Sequence, residues 1–379
     1  MTSTELVKHC YRQTKALISE AVILKKLNVC VLFGGISPEH NVSLRSAEYV
    51  LNSLDPEKYN VFAVGITQKG DWILYGGKDY SALPSGAWQE HPDNRRAAIS
   101  PVRRQGLLSF EGDCVVREMI DVVFPVLHGE NGEDGAMQGL LQLSGIPFVG
   151  SGVAASAVAM DKTLTKLVCD SEAVVQAAWL LAKRSEISSR VESVLDKIEE
   201  KFSYPVFIKP AGTGSSVGVS KATDREKAMQ ALIHAAQFDE KVLVEEFIDG
   251  YEVEVAVMGN DTPFASVCGE IDSGAEFYDY DAKYVTDTSV AYIPARISDE
   301  VAEQTRQNAI KIYAAMGCKG LSRVDFFVTK KDSRIVFNEI NTLPGFTSIS
   351  MYPKLFCASG FTAGELVDEL IRLALEDSK

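Results

Sequence analysis

The segments GLSRVD (residues 320–325) and NEINTLPG (residues 338–345) decide the fold of this chain. We interpret them as a pair of strands, in which residues two apart share a face. Arg323 and Asp325 therefore point the same way. In the second segment, Glu339 and Asn341 likewise share a face. Asp, Glu and Asn oxygens beside an arginine suit Mg²⁺ carrying a polyphosphate, because Mg²⁺ prefers oxygen ligands and keeps positions for phosphate. Taken alone, the cluster could also be a salt-bridged pair of edge strands.

Length and charge limit the class of protein. A chain of 379 residues fits two or three domains, and 46% hydrophobic with 24% charged residues is typical of a folded soluble protein. The net charge is −14, and the sequence has no long basic run. These features argue against nucleic acid and against an anionic membrane as partners, although local lysines can still bind an anionic substrate.

Cysteine usage predicts the cellular compartment. The seven cysteines are scattered along the chain, and none forms a CxxC pair. An odd number of dispersed cysteines favours free thiols in a reducing compartment, so we expect a cytoplasmic protein. No apolar run approaches the roughly 18 residues that a membrane helix needs, and residues 1–27 lack the features of a secretion signal. We interpret those residues as an N-terminal extension whose role the sequence does not reveal.

Residues 28–150 predict an α/β domain with an open parallel sheet. Continuous apolar runs at residues 28–33, 61–66 and 122–126 are typical of strands that helices cover on both faces. Residues 76–112 are polar and rich in Gly and Pro, so we predict loops with some edge strand there.

Two further domains of the α+β class are predicted, a central one over residues 151–243 and a C-terminal one over residues 244–379. The central domain is predicted to contain helices over 154–171, 189–201 and 224–238 and a strand over 205–209. The C-terminal domain is predicted to open with a strand over 242–246 and to end with a helix over 362–376.

Two glycine-dense turns follow predicted strands of the N-terminal domain. HGENGEDG (residues 128–135) follows the third strand, and GGISPEHNVS (residues 34–43) follows the first. Ligands of open α/β sheets bind at the carboxyl ends of the strands, so the turn at residues 128–135 is a candidate ligand site. In the turn at residues 34–43, Glu39 could hold a substrate ammonium. The alternatives are glycines that serve only backbone geometry and an acid that favours a helix dipole.

Candidate phosphate-binding groups lie in the predicted central domain. The loop GTGSSVG (residues 212–218) follows Lys209, and its backbone N–H groups could cradle phosphate. The loop has neither the Gly-Lys-Ser/Thr ending of a P-loop nor the GxGxxG pattern. Lys162 is a second candidate, although a single helix lysine is usually solvated.

The run FYDYDAKY (residues 277–284) could simply pack a loop, or it could be a lid that brings Lys283 to phosphate.

In this order along the chain, these segments resemble the D-alanine–D-alanine ligase family of the ATP-grasp superfamily. The HGxxGEDG motif and the RxD…ExNxxPG pair are the specific parts, and the resemblance runs from residue 28 to the C-terminus. It implies a three-domain ATP-grasp architecture and the ATP-dependent joining of two D-alanine molecules into D-alanyl-D-alanine for peptidoglycan precursors. It also implies two Mg²⁺ ions, for which Mn²⁺ can substitute, and a homodimer.

The resemblance also implies roles for single residues, each matched to a position of the family's motifs. The hydrogen-bonded trio that binds the first D-alanine is matched by Glu39, Ser215 and Tyr284. The surroundings of the second D-alanine are matched by His128, Ser350 and Met351. The ATP-binding positions are matched by Lys162, Lys209, Glu245, Glu246, Ile248, Glu252 and Lys283. The ligands of the two Mg²⁺ ions are matched by Asp325, Glu339 and Asn341. The oxyanion site is matched by Arg323 and the backbone N–H of Gly345.

In the implied mechanism, the carboxylate of the first D-alanine attacks the γ-phosphate of ATP, and the amine of the second D-alanine attacks the resulting acyl phosphate. Two alternatives stay open: ligation of D-alanine to D-serine or D-lactate, as in vancomycin-resistance relatives, and a non-catalytic nucleotide-binding module on the same fold. The run FYDYDAKY favours D-alanine over D-serine as the second substrate. The presence of the arginine and all three matched metal ligands argues against a non-catalytic module.

Overall fold

The computed structural model describes residues 26–272 and 290–377. Within these ranges the strands form three sheets, which we call the N-terminal, central and C-terminal sheets. Of the predicted extension, residues 1–27, only the last two positions lie within the described residues. The first strand begins at Leu27. No helix within the described ranges is long and apolar enough to cross a membrane.

The N-terminal sheet has seven strands in the order β6-β5-β4-β3-β2-β1-β7. Its strands are β1 Leu27–Gly34, β2 Tyr59–Ile66, β3 Trp72–Leu74, β4 Arg95–Ile99, β5 Leu107–Glu111, β6 Cys114–Glu118 and β7 Val122–Leu127. Its helices are α1 His40–Ser53 and α2 Ala136–Ser144. Strand β1 pairs in parallel with β2 and β7, as predicted for the continuous apolar runs.

The other half of this sheet differs from the prediction. Strands β3 to β6 are antiparallel to their neighbours, so the open sheet is parallel only at one end. Residues 76–112, predicted as loops with some edge strand, contain two short 3-10 turns and the complete strands β4 and β5. Ala97 and Ile99 are buried whereas their neighbours are less so, and this alternation over only five residues is a weaker signal than a continuous apolar run.

The central sheet is antiparallel, in the order β10-β9-β11-β8. Its strands are β8 Trp179–Lys183, β9 Val206–Pro210, β10 Ser220–Ala222 and β11 Lys241–Glu246. The helices before and beside it are α3 Val153–Met160, α4 Lys162–Ser171, α5 Arg184–Lys201 and α6 Arg225–Ala235. The predicted boundary between residues 243 and 244 lies inside β11, which pairs with β8 and β9 and therefore belongs to this sheet.

A single helix was expected over residues 154–171, and the structure has two. Asp161 separates α3 from α4 with an extended backbone, and its carboxylate accepts hydrogen bonds from the N–H groups of Thr163 and Leu164. An aspartate in this position stabilises a helix start, because it pairs N–H groups that have no partner within the helix. The break places Lys162 at the first position of a new helix.

The C-terminal sheet is antiparallel, in the order β14-β13-β12-β15-β16. Its strands are β12 Gly250–Gly259, β13 Phe264–Asp272, β14 Val290–Tyr292, β15 Gly320–Thr329 and β16 Ile335–Asn341. Its helices are α7 Asp299–Ala315, α8 Met351–Ala358 and α9 Ala363–Asp377. The strand pair predicted from the two opening segments is confirmed, because β15 and β16 are hydrogen-bonded neighbours.

One hydrophobic core joins the N-terminal sheet to the C-terminal helices. Phe33 and Phe124 of the first sheet belong to the same buried cluster as Tyr352 and Phe356 of α8 and Leu370 of α9. Phe346, which precedes α8, packs edge-on against Phe124 with 6.0 Å between the ring centroids. The shared core holds the carboxyl ends of β1 and β7 beside the C-terminal sheet, and this is where the predicted site residues lie.

Trp88 gives a test of the packing beneath the N-terminal sheet. The ring is fully buried and lies edge-on to Phe33 at 5.1 Å between centroids. We expect Trp88→Ala to lower the free energy of unfolding by about 3–5 kcal/mol, because it leaves a large cavity. Trp88→Phe should cost less, about 1–2 kcal/mol, since it also removes an indole N–H that has no hydrogen-bond partner among the described residues. Urea unfolding followed by circular dichroism measures both, and equal losses for the two variants would contradict this packing.

Candidate active site

A cleft of about 640 Å³ lies between the central and C-terminal sheets, with the turns of the N-terminal sheet at one end. Its walls contain most of the residues singled out in the sequence. These wall residues are Glu39, Lys162, Lys209, Ser215, Glu245, Glu246, Ile248, Glu252, Asp325, Glu339 and Asn341. Residues Lys283 and Tyr284 lie outside the described residues.

Three carboxylates form a row across the C-terminal sheet. Glu254 of β12 lies directly opposite Asp325 of β15, which in turn lies opposite Glu339 of β16. Residues opposite one another on neighbouring strands share a face, and like charges in such positions repel. All three line the cleft. Glu254 was not singled out in the sequence, although its alternation with Glu252 was a signal that both acids face the same side.

Arg323 offsets part of this negative charge. Its Nε and Nη2 donate to the two carboxylate oxygens of Asp325 at 2.8 and 2.7 Å, and Nε lies 3.2 Å from Glu254. Asn341, which is opposite Arg323 on β16, donates from Nδ2 to Asp325 at 3.2 Å. The guanidinium is therefore a salt-bridge partner of the acids in this structure. The alternative of a salt-bridged pair of edge strands does not hold for β15, which lies between β12 and β16.

The donor set on this wall fits Mg²⁺ in kind. Asp325, Glu339 and Asn341 supply carboxylate and amide oxygens, which Mg²⁺ prefers, and two or three protein ligands leave positions for phosphate. Among the described residues, no group of three or more His, Cys, Asp or Glu side chains is arranged to hold a metal ion by itself. The wall is therefore suited to a metal that arrives with a polyphosphate rather than to a closed structural metal site.

The opposite wall is basic and belongs to the central sheet. Lys209 Nζ lies 2.6 Å from Oε2 of Glu245, and Lys166 Nζ lies 2.5 Å from Oε1 of the same carboxylate. Burial alone would raise the pKa of the Glu245 carboxyl, but the ammonium groups of Lys209 and Lys166 lower it to about 2. Lys166 was not singled out in the sequence, although it lies one helical turn after Lys162 on the same face of α4.

The glycine-rich loop joins this basic wall to the N-terminal sheet. Lys162 Nζ donates to the carbonyl oxygen of Thr213 at 2.7 Å, which ties α4 to the loop. The hydroxyl of Ser215 donates to the carboxylate of Glu39, which lies between β1 and α1 and directly precedes α1. The two residues that the sequence placed in one hydrogen-bonded group are thus in contact, across a separation of 176 residues.

Glu39 lies beside a second carboxyl group, that of Glu133. Gly129 has a φ of 71°, and a Cβ at this glycine would come within 2.4 Å of Glu39 Oε2, so the turn approaches Glu39 too closely for a side chain. The Gly129 N–H donates to Glu133 at 2.7 Å. Burial and then the charge of Glu39 raise the pKa of Glu133 to about 8. Glu133 was missed in the sequence, although it stands within the motif that contains His128.

His128 lies behind this pair, in contact with the segment that follows β16. Its Nδ1–H donates to the carbonyl oxygen of Leu343 at 3.1 Å, and burial lowers its pKa. A neutral imidazole with Nδ1 protonated accepts at Nε2, here from the hydroxyl of Ser46 at 3.1 Å. The Ser46 oxygen in turn accepts the N–H of Phe346 at 3.1 Å. His128 therefore fixes residues 343–346 against the N-terminal sheet.

The remaining predicted residues lie just outside the cleft wall. Ser350 accepts the N–H of Thr347 at 3.0 Å and would lie 2.9 Å from a Cβ on Gly345, so it supports the turn that presents the Gly345 backbone. Met351 begins α8 and is buried in the hydrophobic core. Its side chain packs rather than faces the cleft in this structure, which the sequence could not reveal.

Family models match both parts of the chain. The model described as "D-ala D-ala ligase N-terminus" matches residues 28–151, and the model described as "D-ala D-ala ligase C-terminus" matches residues 168–372. The two matches leave residues 152–167 uncovered, a stretch that includes the cleft residue Lys162.

Curated relatives are similar over nearly the whole chain. A D-alanine–D-alanine ligase of Acetivibrio thermocellus is 50% identical over 363 residues, which cover 93% of this chain and 96% of that protein. A D-alanine–D-alanine ligase of Caldicellulosiruptor bescii is 47% identical over 357 residues, which cover 94% of this chain and 97% of that protein.

Solved structures of related enzymes have the same fold. The VanG D-Ala:D-Ser ligase of Enterococcus faecalis superposes with a TM-score of 0.84 at 37% identity, covering 92% of this chain and 100% of that one. The D-alanine–D-alanine ligase of Coxiella burnetii superposes with a TM-score of 0.80 at 34% identity, covering 93% and 95%. These likenesses confirm the predicted mixed α/β and α+β ATP-grasp fold. The chain is a ligase that belongs to the D-alanine–D-alanine ligase family.

Proposed function

We propose that this enzyme joins two D-alanine molecules into D-alanyl-D-alanine at the expense of ATP, through an acyl phosphate, for peptidoglycan precursors. The observation that carries the proposal is the cleft in which a basic wall with Lys162 and Lys209 faces the acidic row of Asp325 and Glu339. A polyphosphate needs cations on both sides, and this cleft supplies ammonium groups on one side and metal-binding oxygens on the other. The proposal includes a cytoplasmic location and a homodimer.

The nucleotide is proposed to lie along β11 and the segment after it. The cleft volume is within the range of small-molecule sites, roughly 300–1,000 Å³. Lys162 and Lys209 would bind the phosphates, while Ile248 and Glu252 line the part of the cleft that would hold adenine and ribose. The Glu245 carboxylate is bound to two lysines, so Glu245 would contribute its backbone to this part of the cleft. The Glu246 carboxylate accepts the N–H of Ala178 at 2.9 Å, so this residue would contribute its backbone rather than its side chain.

Two Mg²⁺ ions, or Mn²⁺ in their place, would be held by Asp325, Glu339 and Asn341. When bound, the ions would offset the repulsion between the ATP phosphates and an attacking carboxylate. Glu254 lies opposite Asp325 and 3.2 Å from Arg323, so it gives the guanidinium a carboxylate partner that does not depend on Asp325.

The amino acids are proposed to bind at the end of the cleft nearest the N-terminal sheet. Glu39, held by the Ser215 hydroxyl, would accept the ammonium of the first D-alanine, with Tyr284 as the third member of the group. The second D-alanine would lie near His128, Ser350 and the Gly345 backbone. The developing oxyanion would then meet Arg323 and the Gly345 N–H, both positioned before the reaction.

Ligation of D-alanine to D-serine is the second candidate. It is favoured by the structural likeness to the VanG D-Ala:D-Ser ligase of Enterococcus faecalis. The higher sequence identity to enzymes named D-alanine–D-alanine ligase favours D-alanine as the second substrate, 50% against 37%. D-lactate stays a third choice for the same position.

A substrate panel tests the proposed reaction. We expect release of ADP and phosphate that requires both D-alanine and Mg²⁺, with D-alanyl-D-alanine as the product identified by mass spectrometry. D-Serine and D-lactate are offered as second substrates across a range of pH. The ammonium of an amino acid must lose a proton before it attacks, whereas the hydroxyl of D-lactate need not, so the pH profiles should differ. Robust turnover with L-alanine, or ATP hydrolysis that is indifferent to the amino acid, would rule the proposal out.

Glu339→Gln tests the metal-binding wall. The amide keeps the size of the side chain but removes a charge, so we expect Mg²⁺-dependent turnover to fall roughly a hundredfold or more with the fold intact. The matched control is Asp332→Asn, which removes an exposed acid from the turn of the same strand pair. Unchanged turnover of Glu339→Gln, with circular dichroism like that of the wild type, would show that the metal site is elsewhere.

Glu133→Gln tests the charge at the amino-acid end. The folded-state pKa of Glu133, about 8, is above its ordinary value of 4.5, so the stability that this proton gives is full below the ordinary pKa and is lost as pH rises through about 8. The variant cannot ionise. We therefore expect it to gain melting temperature relative to the wild type between about pH 5 and about pH 9.

The control for this prediction is Glu130→Gln, an exposed acid in the same turn. Thermal unfolding of the three proteins across this pH range is the measurement. A constant difference between Glu133→Gln and the wild type at every pH would mean that Glu133 is already ionised at neutral pH.

A further inference from the structure

Lys166 is a buried lysine that the proposed function leaves without a task. Its side chain is only 2% exposed, on α4 behind the cleft wall. Lysines are rarely buried to this extent unless they are paired, because removing an ammonium group from water is costly. Its partner is Glu245, at 2.5 Å, so the question is what this buried pair does for the site.

The pair is in fact a group of three charges. Glu245 gives one carboxylate oxygen to Lys166 and the other to Lys209, and the two ammonium groups leave a net charge of one positive unit. Of the two lysines, Lys209 lines the main cleft and Lys166 is absent from its wall. The surplus positive charge is therefore presented to the cleft through Lys209. Without Lys166, Lys209 and Glu245 would neutralise each other.

Lys166 also connects the two sides of the cleft. It lies on the same face of α4 as Lys162, which donates to Thr213 in the glycine-rich loop. The same helix packs Cys169 into the core beneath the C-terminal sheet. The ion pair with Glu245 thus holds a strand of the central sheet against a helix that is anchored to the C-terminal sheet.

We propose that Lys166 is a positioning residue for nucleotide binding: it shares the carboxylate of Glu245, so that Lys209 keeps a positive charge available to the phosphates of ATP. The inference rests on the proposed function, because it takes ATP as the ligand of this wall. Lys166 acts through Glu245 and Lys209 and does not itself touch the nucleotide.

Lys166→Met removes the ammonium and keeps most of the length of the side chain. We expect the dissociation constant of Mg²⁺ with a non-hydrolysable ATP analogue, measured by calorimetry, to rise about tenfold to a hundredfold, since one unit of charge near the phosphates is lost. The KM for ATP should rise in parallel. The KM for D-alanine should stay near the wild-type value, because the amino-acid end of the cleft is unchanged.

A second variant separates charge from packing. Lys166→Met combined with Glu245→Gln leaves no buried ion behind Lys209 and restores the surplus positive charge. We expect it to recover most of the nucleotide affinity that Lys166→Met loses, so the two substitutions should be strongly non-additive. A purely structural role for Lys166 predicts the opposite, with the double variant no tighter than the single one. The double variant also serves as the test if Lys166→Met alone does not fold.

Lys241→Met is the matched control. Lys241 of β11 forms an ion pair with Asp161, the residue just before α4, but it does not line the cleft. It should lose stability without losing nucleotide affinity. Wild-type affinity in folded Lys166→Met, or a double variant no tighter than the single, would overturn the inference and leave the proposed function intact. A wild-type protein that does not bind the ATP analogue would overturn both.

Discussion

The register of three strands sets the main constraint on this molecule. Pairing of β12, β15 and β16 places Glu254, Asp325 and Glu339 in a row, each directly opposite the next. Carboxylates in such positions repel one another, and burial makes the repulsion more costly. The sheet is stable in this register because Arg323 donates from Nε and Nη2 to the two carboxylate oxygens of Asp325 and lies close to Glu254. A cation on this face is a structural requirement before it is a functional one.

On the facing wall, formed by the central sheet, the signs of the charges are reversed. There, the buried carboxylate of Glu245 is offset by two lysines, and the excess charge is positive. The cleft is therefore polarised, with surplus negative charge on the C-terminal sheet and surplus positive charge on the central sheet. A polyanion that carries divalent metal ions matches both walls at once, which neither a free metal ion nor a free phosphate does. This polarity makes sense of an acidic protein, with a net charge of −14, that binds an anionic substrate.

The sequence revealed those parts of the fold and the site that depend on short-range patterns. Period-two spacing was enough to place Arg323 and Asp325 on one face, and continuous apolar runs were enough to find β1, β2 and β7. Contacts between residues that are far apart in the chain produce no such pattern in the sequence. The predicted domain boundary falls inside β11, because the sequence of a strand does not indicate which sheet the strand will join. Lys166, Glu133 and Glu254 were missed for the same reason: each is made important by partners far away in the sequence.

We propose above all that the polarised cleft brings the carboxylate of a D-alanine to the γ-phosphate of ATP. The direct measurement is the fate of the carboxylate oxygen. D-Alanine labelled with ¹⁸O in its carboxyl group is turned over with ATP, and the released phosphate is analysed by mass spectrometry. An acyl phosphate predicts one labelled oxygen in each phosphate formed with the dipeptide, because the attacking oxygen leaves with the phosphoryl group. Unlabelled phosphate would contradict the account.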